Sequence, residues 1–158
     1  MEHTAEGLRS VDHANGVFSF LIPRHWAHEV EDDGTQVFWD EGDGSGTLRV
    51  TSITAKKDAD PDLLPQVGLL SKGVTPTVRD DGVAWVHYRR NEEEDGESTV
   101  MFWWEFAQFV PPRNVRVAFF SFTIYASEEN EPATKVQLNM LRQLPSFVTF
   151  GELQDFER

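Results

Sequence analysis

The segment from His25 to Glu29 is the densest group of metal-binding side-chain types in the chain, with two imidazoles and one carboxylate within five residues. Nitrogen and oxygen donors of this kind are ligands that zinc uses in proteins. The helical zinc motifs H-E-x-x-H and H-x-x-E-H need a sustained helix, whereas this segment follows Pro23 and precedes a predicted turn. We therefore predict that His25 and His28 are structural or surface residues and form no metal site.

A second group, from Asp40 to Gly44, is acidic and rich in glycine, as calcium loops are. An EF-hand loop places glycine at its sixth position and glutamate at its twelfth. Counted from Asp40, these positions hold Ser45 and Thr51, so the spacing does not match. No lysine directly follows the glycines and no helix is predicted there, which also excludes a phosphate-binding loop. We predict a solvated turn here, and no cofactor for the chain.

Glu105 is the one acid in an otherwise apolar stretch, where Trp104 and Phe106 flank it. A buried carboxylate is costly unless it is paired or protonated, and carboxyl groups with perturbed pKa values cluster at functional sites. One interpretation pairs Glu105 with an arginine of a neighbouring strand or places it at the end of a sheet. The other makes Glu105 and His87 an acid–base pair in the pocket of a small-ligand-binding protein or a hydrolase-like enzyme. No serine nucleophile elbow, Walker loop or dinucleotide fingerprint accompanies them.

Acidic side chains are concentrated between Arg24 and Arg49, where seven acids occur with no lysine or arginine. If they share a surface, they attract a basic protein partner. The alternative is that they only keep an exposed hairpin solvated. On the first interpretation, the candidate contact residues are five of these acids and two nearby tryptophans, namely Asp32, Asp33, Asp40, Glu41, Asp43, Trp26 and Trp39.

The composition narrows the classes of function. The 158 residues are predicted to form a single domain with one core, since twelve Phe and five Trp can bury a large apolar area. The formal net charge of −13 argues against binding to nucleic acids or to anionic membranes. The sequence contains no run of about 18 apolar residues, so no membrane span is predicted. The absence of cysteine and of a signal-like N-terminus favours the cytoplasm.

A long hairpin from Ser98 to Tyr125 is predicted to be the centre of the fold. Side chains alternate between the two faces of a strand, and both faces of the stretch from Val100 to Phe109 are apolar. Strands that are buried on both faces lie inside a sheet that other layers cover. We therefore predict that the 98–109 and 115–125 strands pair antiparallel inside the sheet, with helices on both of its faces.

The other elements are predicted around this pair. Strands are predicted at residues 16–22, 27–30, 35–40, 47–55, 75–79, 83–90 and 147–150, with a solvated turn at 91–96. Two helices are predicted, one from Asp60-Pro61 to about Lys72 and one from Pro132 to Leu144. The apolar stripe of the second helix is predicted to consist of Ala133, Val136, Met140, Leu141 and Leu144. Residues 1–15 are predicted to be a polar lead-in and residues 151–158 a polar tail.

The order of these elements resembles that of the PsbP/Mog-type superfamily. The aromatic strand Phe18-Ser19-Phe20-Leu21-Ile22 ends in Pro23, and Trp26 follows three residues later, as is common in that superfamily. Its C-terminal aromatic strand, helix and short final strand look like residues 118–125, 132–144 and 147–150. The resemblance, to an uncharacterised bacterial branch, implies an α+β fold: an antiparallel sheet flanked by helices on both faces, an α/β/α sandwich. The superfamily includes a Ran-binding protein and photosystem-associated proteins, so the resemblance implies no particular activity.

The sequence therefore predicts a non-enzymatic binding or adaptor domain that contacts a protein partner. This prediction rests on fold analogy and on the lack of a catalytic motif. The alternative, an enzyme or small-ligand-binding protein, predicts a deep pocket that holds both Glu105 and His87. A flat surface at that position favours the adaptor.

Overall fold

The computed structural model describes residues 7–14, 16–42, 46–56, 74–110 and 114–151. These residues form ten β-strands, two α-helices and one 3-10 turn. The strands are Leu8–His13 (β1), Phe18–Pro23 (β2), Ala27–Val30 (β3), Gln36–Trp39 (β4), Thr47–Lys56 (β5), Thr77–Val78 (β6), Ala84–Glu94 (β7), Glu97–Val110 (β8), Asn114–Tyr125 (β9) and Thr149–Phe150 (β10). The helices are Pro132–Leu141 (α1) and Leu144–Phe147 (α2), and the 3-10 turn is Ala126–Glu128.

Seven of the strands form one antiparallel sheet in the order β3-β4-β5-β9-β8-β7-β6. The predicted central pair is confirmed, because β8 and β9 are hydrogen-bonded to each other and each has a further strand on its other side. Their register pairs Trp104 with Phe120 and Glu105 with Phe119. Residues directly opposite each other share a face of the sheet. The register therefore assigns Trp104 and Phe120 to what we call the first face, and Glu105 and Phe119 to the second face.

The first face carries the larger core, in which Phe38, Trp104 and Phe120 are at most 1% exposed. A smaller sheet in the order β1-β2-β10 packs against it. Phe20 of β2 meets the rings of Phe38 and Phe120 edge-on, with centroids 5.7 and 5.1 Å apart. Each edge-to-face pair of this kind adds about 0.5–1.5 kcal/mol beyond the burial of apolar area. The two sheets are thus joined by aromatic packing.

The helices also lie on the first face, where Leu138, Leu141 and Leu144 join the same core as Trp104. The second face carries a smaller hydrophobic cluster, and no helix of the described residues packs on it. The predicted α/β/α sandwich is therefore wrong: the described chain is mostly strand, arranged in two antiparallel sheets, and its helices lie on one face only. The helix predicted near residues 61–72 lies outside the described residues.

The C-terminal helix differs from its prediction in phase and in length. Val136, assigned to the apolar stripe, is 68% exposed, whereas Leu138 is 4% exposed. Helix α1 ends at Leu141, and α2 begins at Leu144 with Pro145 in its first turn. Proline is tolerated there because the first N–H groups of a helix have no intrahelical acceptor. Within the described part of the chain, no helix is long and apolar enough to cross a membrane.

Two further segments differ from their predictions. The predicted polar lead-in, residues 1–15, contains strand β1, which pairs with β2 along its whole length and buries Val11 and His13. Strand β7 continues through most of the predicted solvated turn, which shrinks to Asp95 and Gly96. Both of these residues have positive φ angles, 54° and 82°. Two-residue turns with positive φ match the twist of the strands that they connect.

Candidate functional site

A groove of about 370 Å³ opens between helix α1 and the corner that joins β2 to β3. Its walls come from three distant parts of the chain: the start of β1, the β2–β3 corner with Asp40, and α1. We call it the corner groove. The residues that line it are Gly7, Leu8, Pro23, His25, Trp26, Asp40, Ala133, Val136, Gln137 and Met140. It therefore brings together two of the predicted contact residues, Trp26 and Asp40.

Trp26 is the most firmly held residue of the corner groove. Its side chain is 4% exposed, and its ring stacks on Phe122 with the centroids 6.3 Å apart and an interplanar angle of 12°. Arg9 donates a hydrogen bond from Nη2 to the carbonyl oxygen of Trp26, and the N–H of Trp26 donates to the carbonyl oxygen of Pro23. Trp26 thus supports the groove and offers little surface of its own to a ligand.

The polar rim of the groove consists of His25 and Asp40, whose Nε2 and Oδ2 atoms are 3.4 Å apart. The backbone N–H of Gly42 donates to the other carboxylate oxygen, Oδ1, over 2.9 Å. A side-chain turn of this type holds the carboxylate in place. The neighbouring Glu41 is exposed. Since the His25 side chain is 67% exposed, its pairing with Asp40 adds little stability.

The apolar wall of the groove comes from α1 and β1. Val136 is 68% exposed, and Met140, one helical turn later, is half-buried, as is Leu8 of β1. These residues line the groove but are not among the predicted contact residues, because Leu8 falls in the predicted lead-in and Val136 in the predicted core stripe. The spacing of Val136 and Met140 was the available signal, since residues four apart share one face of a helix.

Three other predicted contact residues, Asp32, Asp33 and Trp39, do not line the corner groove. Asp32 and Asp33 are in the turn between β3 and β4, at the far end of that hairpin. The N–H of Thr35 donates to Oδ1 of Asp33 over 2.9 Å, and this hydrogen bond lowers the pKa of the Asp33 carboxyl group. The register places the side chain of Trp39 on the second face. Asp43 lies outside the described residues.

Glu105 lies on the second face and is 1% exposed. The hydroxyl group of Tyr88 donates to its Oε2 over 2.6 Å, and its Oε1 has no hydrogen-bond partner in the described part of the chain. Burial raises the pKa of Glu105, and the bond from Tyr88 opposes this rise. Burial and the hydrogen bond to Glu105 raise the pKa of Tyr88. The partner of this carboxyl group is thus a tyrosine and not an arginine.

His87 lies on the first face, stacked on Trp104 with the ring centroids 4.4 Å apart. Its Nδ1 is 2.8 Å from the carbonyl oxygen of Trp103, to which the N–H of the ring donates. Burial lowers the pKa of His87, and the bond to Trp103 opposes this effect. The sheet therefore separates His87 from Glu105, and neither group can act on a ligand that the other one holds.

His25 and His28, which were predicted to be structural or surface residues, contact different side chains. His28 stacks on Phe38 with the centroids 4.5 Å apart, and partial burial together with the charge of Arg9 lowers the pKa of its ring. His25 faces Asp40 instead. Among the residues that the structure describes, no group of three or more histidine, aspartate and glutamate side chains could hold a metal ion.

A scan against protein-family models and a search of curated proteins both find no match. Solved structures do match. A crystal structure from Bacteroides thetaiotaomicron superposes with a TM-score of 0.62 at 13% identity, covering 92% of this chain and 49% of that one. LpqN of Mycobacterium tuberculosis, which is involved in cell envelope biogenesis, superposes with a TM-score of 0.54 at 14% identity, covering 92% and 91%. The fold is shared with LpqN.

A third similar structure is CyanoP, the cyanobacterial PsbP of Synechocystis sp. PCC 6803, with a TM-score of 0.44 at 11% identity and coverage of 91% and 92%. A PsbP domain is therefore among the similar structures, but at a TM-score of 0.44 the likeness supports no argument. The Mog-type assignment and the bacterial branch stay predictions. At 13% and 14% identity, the other two likenesses show the fold alone, and the chain spans about half the length of the Bacteroides protein.

Proposed function

We propose that the chain is a non-catalytic binding domain that docks a protein partner at the corner groove. The observation that carries this proposal is the combination of an acidic rim with an exposed apolar wall. Asp40 supplies a carboxylate at the rim, the exposed Glu41 follows it in the chain, and Val136 and Met140 supply apolar surface along α1. A partner that fits has an apolar side chain to pack against α1, with a lysine or arginine beside it to meet the carboxylates.

The charge of the chain supports a basic partner. Its formal net charge is −13, and the seven acids between residues 24 and 49 include the rim of the groove. An excess of one sign raises the rate of encounter with a surface of the opposite sign, and salt weakens the effect. On this proposal Asp32 and Asp33 contribute to the attraction from the far end of the hairpin without touching the bound partner.

Catalysis is left out of the proposal, because the sheet separates Glu105 from His87 and each has a structural contact of its own. We also propose the cytoplasm as the location, since a chain without cysteine suits a reducing compartment. The involvement in cell envelope biogenesis belongs to LpqN and is not carried over to this chain.

Photo-crosslinking in the native host tests the proposal. A photoreactive residue at position 136 reports on the corner groove, and one at position 78 is the matched control, since Val78 is also an exposed valine, at 55%. We expect a protein that crosslinks from position 136 and not from position 78. The crosslinked segment, identified by mass spectrometry, should carry a lysine or arginine next to an apolar residue.

The captured protein, once purified, then allows a direct binding measurement. Val136→Asp should weaken binding at least about ten-fold, because it places a charge in the apolar contact, while Val78→Asp should leave the affinity unchanged. Glu41→Gln should slow association at low salt and have a smaller effect at high salt. Equal crosslinking from both positions, or equal loss of affinity in both aspartate variants, would contradict docking at the corner groove.

A further inference from the structure

A second cleft, of about 250 Å³, lies at the end of the sheet on the opposite side from the helices. The side chains that face it belong to the second face, by the alternation along β5, β8 and β9. They are three threonines, one tyrosine and one arginine: Thr47, Arg49, Thr99, Thr123 and Tyr125. We call it the Arg49 cleft.

The strand register brings these side chains together. Thr47 is directly opposite Thr123, and Thr99 is directly opposite Tyr125. The Cβ atoms of such pairs are about 4.5–5.5 Å apart. Arg49 and Thr47 lie two residues apart on one strand, so their side chains point the same way. Four hydroxyl groups and one guanidinium group thus line the same cleft.

Arg49 is exposed and makes no hydrogen bond or ion pair with any described residue. Other arginines of the sheet do have partners: Arg89 pairs with Glu129, and Arg90 pairs with Glu92. Among the residues aligned with Arg49 across the sheet, the nearest acid is Glu29. It lies two strands away, so the backbones at Arg49 and Glu29 are about 9–10 Å apart. An arginine without a carboxylate partner is notable in a chain with 27 acids and 14 basic residues.

We propose that the Arg49 cleft binds the oxyanion group, a carboxylate or a phosphoryl group, of a small molecule. A guanidinium group presents two parallel N–H donors that match two oxygens of such an anion. The hydroxyl groups of Thr47 and Thr123 can donate to the remaining oxygens, whereas that of Thr99 donates to the carbonyl oxygen of Glu92. Tyr125, whose side chain is 47% exposed, offers a ring against which the body of the molecule packs.

NMR titration tests this proposal with two probes, inorganic phosphate and phenyl phosphate, at constant ionic strength. A free anion and an anion attached to an organic body share the contacts with Arg49, but only phenyl phosphate can use the ring of Tyr125. We expect saturable shifts of the Arg49 side-chain N–H and of the amides near residues 47–49 and 123–125. Tighter binding of phenyl phosphate indicates an organic ligand, and equal binding of the two indicates the free anion.

Two charge-matched variants decide whether the site is specific. Arg49→Gln should weaken binding of both probes at least about ten-fold, because it removes the forked donor pair. Arg142→Gln, which removes the same charge from the exposed end of α1, should leave the titration unchanged. Linear shifts that do not saturate, or equal losses in the two variants, would overturn the proposal. Val136→Asp, which tests the corner groove, should not alter phosphate binding, so the two proposals can fail independently.

Discussion

The two faces of the seven-stranded sheet are built from the same strands but differ in what they carry. On the first face, Phe120 meets three other phenylalanine rings, and the leucines of α1 complete the core. On the second face, the buried cluster is smaller and includes the Tyr88–Glu105 hydrogen bond, and the Arg49 cleft lies at its edge. Alternate residues of one strand therefore contribute either to the main core or to the smaller cluster and polar contacts of the second face.

Truncating adjacent residues of β9 measures this difference directly. Phe120 is fully buried, and its ring lies 5.1 to 5.7 Å from those of Phe18, Phe20 and Phe106. Phe120→Ala should lower the free energy of unfolding by about 3–5 kcal/mol. Phe119→Ala should cost less, because Phe119 is only partly buried on the second face. Urea denaturation provides both values, and an equal or larger loss for Phe119→Ala would contradict the difference between the faces.

Helix α1 allows a similar comparison on the first face alone. Leu141 is fully buried, so Leu141→Ala should cost about 2–5 kcal/mol, which lowers the thermal midpoint by roughly 4–20 °C in a chain of this size. Val136→Ala is the control and should change the midpoint little, since Val136 is 68% exposed. Gln137 is unsuitable as a surface control, because it is 4% exposed. Similar midpoints for both variants would mean that the helix packs through another side.

The hydrogen bond of the second face is tested by removing one hydroxyl group. Tyr88→Phe should lower the free energy of unfolding by about 1–3 kcal/mol, because it leaves the buried Glu105 without its donor. Tyr125→Phe removes a hydroxyl group from a tyrosine that is 47% exposed and should be nearly neutral. If the two substitutions have the same small effect, the bond to Glu105 contributes nothing measurable.

Glu105→Gln tests the protonation of the same pair. Burial raises the pKa of Glu105 in the folded state, so this group favours folding below its unfolded pKa, and that contribution is lost as the pH rises through the folded pKa. The variant cannot titrate and escapes this loss. Its free energy of unfolding, relative to the original chain, should therefore rise as the pH increases above about 4, the ordinary value for a glutamate. A difference that stays constant over this range would show that the folded pKa is not raised.

Much of the sheet could be predicted from the sequence, because the alternation of side chains along a strand and the residues typical of turns can be read from short stretches of sequence. Strand β1 was missed because its sequence Leu-Arg-Ser-Val-Asp-His is polar at most positions. Its two buried residues gain their cover only in the folded chain, where β1 pairs with β2 and His13 contacts Gln36 of β4. The phase of α1 was missed for a related reason. The buried side of α1 includes the polar residues Thr134 and Gln137, so the pattern of apolar residues does not mark the side that packs. The apolar Val136, in contrast, is exposed.

The corner groove was harder to predict than the fold. Leu8, Trp26, Asp40 and Met140 meet in one groove although more than a hundred residues separate the first from the last, and no sequence pattern records such a meeting. Asp33 and Asp40 were predicted to share a surface only because both are acidic. The sequence does not show that they lie at opposite ends of a hairpin. Glu105 and His87 were grouped for their chemistry, and only the register shows that they occupy opposite faces.

The methionines provide the most direct measurement of where the partner binds. Met140 lines the corner groove, Met101 lies on the second face, and Met1, the only other methionine in the sequence, is outside the described residues. With methyl-labelled methionine, the partner captured from position 136 should shift and broaden the Met140 signal and leave that of Met101 unchanged. A shift of Met101 without a change at Met140 would place the partner on the second face and contradict docking at the corner groove.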